Sequence, residues 1–63
     1  MEIIKLMEFT HSSMERVEAD INDFIKAERD SAVKREWNTL SVTRELVPGE
    51  GFYYFATLYR FED

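Results

Sequence analysis

His11 is the only histidine in the chain, and Ser12 and Ser13 follow it directly. Imidazole titrates near neutral pH, so His11 is the one ordinary group available for proton transfer. A hydroxyl nucleophile and its base must meet in space, and adjacency in the chain does not supply that geometry. The two serines have a structural reading beside the chemical one. Ser12-Ser13-Met14-Glu15 has the pattern of a capping box. In that reading Ser12 accepts a bond from the Glu15 backbone N–H, and Glu15 reaches back to Ser12. Glu18, Asp20 and Asp23 supply carboxylates, but their spacing follows the solvated face of a helix. The chain has no cysteine, which excludes disulfides and thiolate metal sites, and a single histidine excludes a multi-histidine site within one chain. Gly49 and Gly51 flank Glu50, whose charge repels phosphate, and neither a P-loop nor a dinucleotide fingerprint is present. The expectation is a protein that is not an enzyme and carries no metal or cofactor.

Aromatic residues offer binding chemistry instead. Trp37 has three readings: core residue, interface anchor, or stacking platform for a flat ligand. Tyr53, Phe55, Tyr59 and Phe61 recur along one face of a strand. Such a row can stack nucleic-acid bases when a basic groove accompanies it. Here only Arg44 and Arg60 lie close by, and the net charge is −5. Lys26, Arg29, Lys34 and Arg35 gather near one connection, but Glu28, Asp30 and Glu36 interleave with them. Nucleic acid is therefore not an expected partner. A subunit interface is the expected role of the four aromatic residues, and basic protein partners stay open.

The elements that position these residues follow from periodicity. Met1–Thr10 reads as a first strand, with Ile3, Ile4, Leu6, Met7 and Phe9 placing apolar groups on both faces. A strand apolar on both sides is expected to be covered on both sides. Met14, Val17, Ile21, Phe24 and Ile25 form one stripe of a helix running from about Ser13 to Glu28 and ending near Asp30-Ser31. Ala32–Leu46 reads as a second strand. Its alternation changes phase between Trp37 and Leu40, which predicts a bulge or bend near Asn38. Val47-Pro48-Gly49-Glu50-Gly51 is a turn, with Pro48 presetting φ and Gly49 accepting a positive φ. Phe52–Phe61 is the third strand, with Phe52, Tyr54, Ala56 and Leu58 on one face and Tyr53, Phe55, Tyr59 and Phe61 on the other. The predicted fold is α+β, a βαββ unit with one helix packed on a three-stranded sheet of order 1-3-2. The first two strands run parallel and the third lies between them, antiparallel to both.

Size completes the argument. The 63 residues make one domain, residues 1–63, with a marginal core. Domains this small usually gain support from disulfides, metals or partner subunits, and composition leaves only the last. One helix covers one face of the sheet, so the aromatic face is expected to meet another subunit or a different protein. Glu2, Lys5 and Glu8 break the apolar run at the start of the chain, so no signal peptide is expected. No run approaches the roughly 18–20 apolar residues of a membrane span. A cytoplasmic location without membrane contact is the expectation.

Two families share features with these residues. Ile3-Ile4-Lys5-Leu6, then Val17 and Ile21-Asn22-Asp23-Phe24-Ile25, then Phe52-Tyr53-Tyr54-Phe55-Ala56-Thr57-Leu58-Tyr59 resemble small sporulation-associated proteins of spore-forming bacteria. Those proteins open on a lysine-bearing strand and close on an aromatic one, and the likeness spans most of the chain. Small acidic proteins of phages that infect such hosts are similar, and some of them inhibit host proteins. At the level of fold the chain also resembles dodecins, βαββ flavin-storage proteins that form hollow dodecamers. Thr10 with Ser12-Ser13 looks like the dodecin helix start, Trp37 falls where their flavin-stacking tryptophan would, and Arg60-Phe61-Glu62-Asp63 looks like their C-terminal end. The glutamine that dodecins place on the flavin ring is missing, with Tyr53 or Tyr54 in its place. The leading expectation is a non-catalytic homo-oligomer that acts through protein–protein interaction, regulatory or inhibitory in effect and host- or phage-encoded. The alternative is storage or sequestration of a flat aromatic ligand such as flavin on Trp37.

Overall fold

A computed structural model describes residues 2–63. Met1, the first residue of the expected opening strand, lies outside them. The elements in chain order are β1 (Ile3–His11), α1 (Met14–Asp30), β2 (Asn38–Val47) and β3 (Gly51–Glu62). The sheet has the order β1-β3-β2, and β3 is antiparallel to both neighbours. The chain is thus a βαββ unit of the α+β class.

The hairpin between β2 and β3 follows from turn chemistry. Glu50 donates its N–H to the Val47 carbonyl at 3.0 Å, closing a four-residue turn around Pro48 and Gly49. Gly49 has φ +82° and Gly51 φ +96°, values that L side chains rarely adopt. The register then pairs Val47 with Gly51 and Leu46 with Phe52. The shift in register falls between Thr39 and Ser41, leaving Leu40 without an opposite residue. It lies two residues beyond Asn38 and accounts for the phase change in the apolar pattern.

The core sits between α1 and the centre of the sheet. Val17, Ala56 and Leu58 are fully buried, while Met14, Ile21, Phe24 and Ile25 along the same helix stripe are half-buried. Side chains alternate along a strand, so Ala56 and Leu58 mark the helix side of β3. The register adds Met7 (opposite Leu58), Phe9 (opposite Ala56) and Val42 (opposite Ala56) to that side. α1 touches β1 and β3 and makes no contact of its own with β2. The hairpin also runs past the end of β1, which stops where His11 meets Tyr54. Val42, Leu46 and Phe52 on the helix side therefore stay exposed.

Three expectations need correction. β2 begins at Asn38, not Ala32, because the preceding segment folds back on the helix end. There the Arg35 N–H donates to the Glu28 carbonyl at 3.3 Å, and the Ser31 hydroxyl donates to the same carbonyl at 2.8 Å. Those bonds divert Ala32–Trp37 from the sheet. The capping box is also absent. Ser13, not Ser12, is the N-cap, its carbonyl accepts the Val17 N–H at 3.1 Å, and no side chain caps the helix. The Ser13 N–H is instead satisfied by His11 Nδ1 at 3.2 Å, because β1 delivers the imidazole to the helix start. Finally, β1 is covered on one side only, since Ile4 and Leu6 point away from α1 and remain exposed.

Candidate functional site: the open sheet face

The face of the sheet turned away from α1 is built by alternation. On β3 it carries Tyr53, Phe55, Thr57, Tyr59 and Phe61, the residues between the buried Ala56 and Leu58 and flanking them. The register brings Ile4 opposite Phe61, Leu6 opposite Tyr59, Glu8 opposite Thr57 and Thr10 opposite Phe55. From β2 it brings Asn38 opposite Tyr59, Ser41 opposite Thr57, Thr43 opposite Phe55 and Glu45 opposite Tyr53. All four aromatic residues expected at an interface therefore share one face. Tyr59 and Phe61 touch edge to face, with ring centroids 5.8 Å apart.

This face is not uniform along the strands. Its Phe61 end groups Ile4, Leu6, Tyr59 and Phe61. Ile4 is 58% exposed, Leu6 62% and Phe61 56%. Its Tyr53 end flanks the aromatic column with Glu8, Thr10, Ser41, Thr43 and Glu45. No lysine or arginine sits at any of these positions. Ile4 and Leu6 complete the patch from the neighbouring strand. Their signal was visible in the sequence as apolar residues on the second face of β1, but their partners required the register.

Trp37 sits elsewhere, between α1 and the helix side of β3. Its indole N–H donates to Glu28 Oε1 at 3.1 Å, and Phe24 meets the ring edge to face at 5.2 Å. Phe9 continues that chain, 5.4 Å from Phe24. The Arg60 guanidinium stands 5.1 Å from the centre of the indole ring. Arg60 also donates to Glu62 Oε2 at 2.7 Å, and Arg35 reaches Glu28 Oε2 at 3.4 Å. Glu28 is thus a hub that sequence reading passed over. Its signal was its position, four residues after Phe24 on the apolar stripe, where a carboxylate needs a partner. An open cleft of about 310 Å³ beside this hub is lined by residues including Lys34, Arg35, Glu36, Arg60 and Glu62. Arg35 and Arg60 are already paired with carboxylates there.

The residues weighed for chemistry are dispersed. The His11 imidazole bonds the Ser13 backbone and neither serine hydroxyl. Glu18, Asp20 and Asp23 are exposed on α1. Among the described residues, no group of three or more His, Cys, Asp or Glu is arranged to hold a metal ion, and no helix is long and apolar enough to cross a membrane. No family model matches the chain, and neither a curated protein nor a solved structure is significantly similar to it.

Proposed function

We propose that this is a non-catalytic protein that acts through protein–protein contact and assembles with copies of itself through the open face of its sheet. The observation that carries this reading is the exposure of Ile4, Leu6 and Phe61 side by side with Tyr59. Monomers rarely expose contiguous apolar patches beyond a few hundred Å². Total area points the same way. The chain exposes 4968 Å², whereas a compact monomer of this 7.5 kDa mass exposes about 4,250 Å². The surplus of roughly 700 Å² is shared between the open face and the exposed Val42, Leu46 and Phe52 on the helix side.

A protein of this build works by occupying a surface, so a regulatory or inhibitory role suits it better than turnover of a small molecule. The test is solution mass by light scattering across a tenfold dilution series. A constant multiple of 7.5 kDa is expected. A folded monomer at every concentration would overturn the reading.

A further inference from the structure

We infer that His11 is a proton-sensitive latch on the start of α1: one proton turns its accepting nitrogen into a donor and loosens the first turn of the helix that covers the core. This inference stands apart from how the open face is used.

The latch follows from where β1 ends. Met7 and Phe9 lie on the helix side of β1, and alternation puts His11 there too, opposite Tyr54 at the last position of the strand. Its Nδ1 accepts the Ser13 N–H at 3.2 Å in a partly buried setting. Ser13 is the N-cap and no side chain caps α1, so this bond is the side-chain anchor of the helix start. Val17, the buried residue of α1, donates its N–H to the Ser13 carbonyl. The latch therefore ties the end of the strand to the turn that leads into the core.

Both nitrogens of an imidazolium are donors. Protonated His11 sets an N–H against the Ser13 N–H and adds positive charge where the helix dipole is already positive. The groups around it do not reverse this. β3 sets Tyr54 opposite His11, and β2 sets Arg44 beyond Tyr54. α1 carries Glu15, Arg16 and Glu18 at its start, all exposed, and exposed charge pairs contribute little. The sign follows. The folded state keeps the bond only with a neutral ring, whereas the unfolded chain takes the proton freely. Stability is therefore full above the imidazole range and is lost as pH falls through it. Composition isolates the effect. The chain has one histidine and no cysteine, so His11 is the one side chain that ordinarily changes charge between about pH 8 and pH 5.

The experiment is urea denaturation of wild type, His11→Asn and His11→Ala at about pH 8 and about pH 5.5, at matched protein concentrations. The unfolding constant is expected to rise roughly fivefold more in wild type than in either variant, because neither variant can take the proton. Either variant serves should the other fail to fold. The Ser13 amide gives a local reading: its NMR resonance is expected to follow the titration of the His11 ring. An equal rise in wild type and variants, or a Ser13 amide indifferent to the ring proton, would overturn the latch.

Discussion

β3 has two faces with the same kind of sequence and opposite fates. On the helix side Ala56 and Leu58 are fully buried against α1. On the far side, Tyr53, Phe55, Tyr59 and Phe61 carry more apolar surface yet lie on the face turned away from α1, the first three half-buried and Phe61 exposed. What separates the faces is the supply of covering elements. A chain of 63 residues has one helix, and α1 spans only β1 and β3. Apolar content alone therefore does not locate a core. A face becomes core when something covers it, and the uncovered face is available for association.

That contrast predicts a division of mutational effects. Leu58→Ala empties the centre of the small core and should cost about 2–5 kcal/mol in urea denaturation. A domain of this length has roughly 3–9 kcal/mol of stability in total, so the variant should be largely unfolded if the wild type lies at the lower end of that range. Phe61→Ala, three residues on but on the open face, should change the stability of the monomer by less than about 0.5 kcal/mol. Both are best measured at matched protein concentrations, because any association adds concentration-dependent stability. Equal losses for the two variants would break the comparison.

The Glu28 hub offers the next effect in size. Glu28→Ala leaves the Trp37 indole N–H and the Arg35 guanidinium without their acceptor, at an expected cost of about 1–3 kcal/mol. Trp37 is the only tryptophan, so its fluorescence reports directly on this contact. The emission should shift to longer wavelength as water replaces the carboxylate. Glu28→Gln keeps an oxygen for the indole N–H and should cost less than about 1 kcal/mol. Solution mass should be unchanged in both, because the hub lies on the helix side.

Most of this division is legible in the sequence. The alternation in Phe52–Phe61 assigned β3 its two faces, and the stripe of Met14, Val17, Ile21, Phe24 and Ile25 assigned α1 its buried side. Strand order followed from placing β3, apolar on both faces, in the middle, although β1 is apolar on both faces as well and lies at the edge. Pro48 and Gly49 gave the turn by their backbone preferences alone. The failures share a cause: each depended on a contact between residues from different elements. The start of β2 was misplaced because Glu28 claims the Ala32–Trp37 segment through its carbonyl and carboxylate. The capping box was misread because His11, carried in by β1, reaches the helix start instead. On the open face the four aromatic residues were found, but the contrast between its two ends depends on which β1 and β2 residues lie beside them. Local pattern does not encode that register.

The helix start gives a smaller effect that separates the two capping schemes. His11→Ala removes the acceptor of the Ser13 N–H and should destabilise the monomer by about 0.5–1.5 kcal/mol. An imidazole that accepts at Nδ1 carries its proton on Nε2, so His11→Asn, which retains a short side-chain acceptor, should recover part of the loss. Ser12→Ala should fall within about 0.5 kcal/mol of wild type. A larger loss from Ser12→Ala than from His11→Ala, read from thermal unfolding, would restore the capping box and refute the observed arrangement.

The smallest effect lies at the end of β3, where the chain crosses between the two faces. Arg60 and Glu62 belong to the helix side, while Phe61 between them belongs to the open one. The hydrogen bond from Arg60 holds the Glu62 carboxyl below its ordinary value, and the positive charges of Arg60, Lys5 and Arg35 act in the same direction. A carboxyl depressed in the folded state stabilises that state above its unfolded pKa of about 4.3. The contribution fades as pH falls from there through the lowered folded value. Glu62→Gln should therefore lower the melting temperature slightly at neutral pH and converge with wild type in acid. Because Glu62 is exposed, screening should shrink even that difference as salt is raised. A melting curve of Glu62→Gln that matched wild type at every pH would show that the pair contributes nothing to the fold.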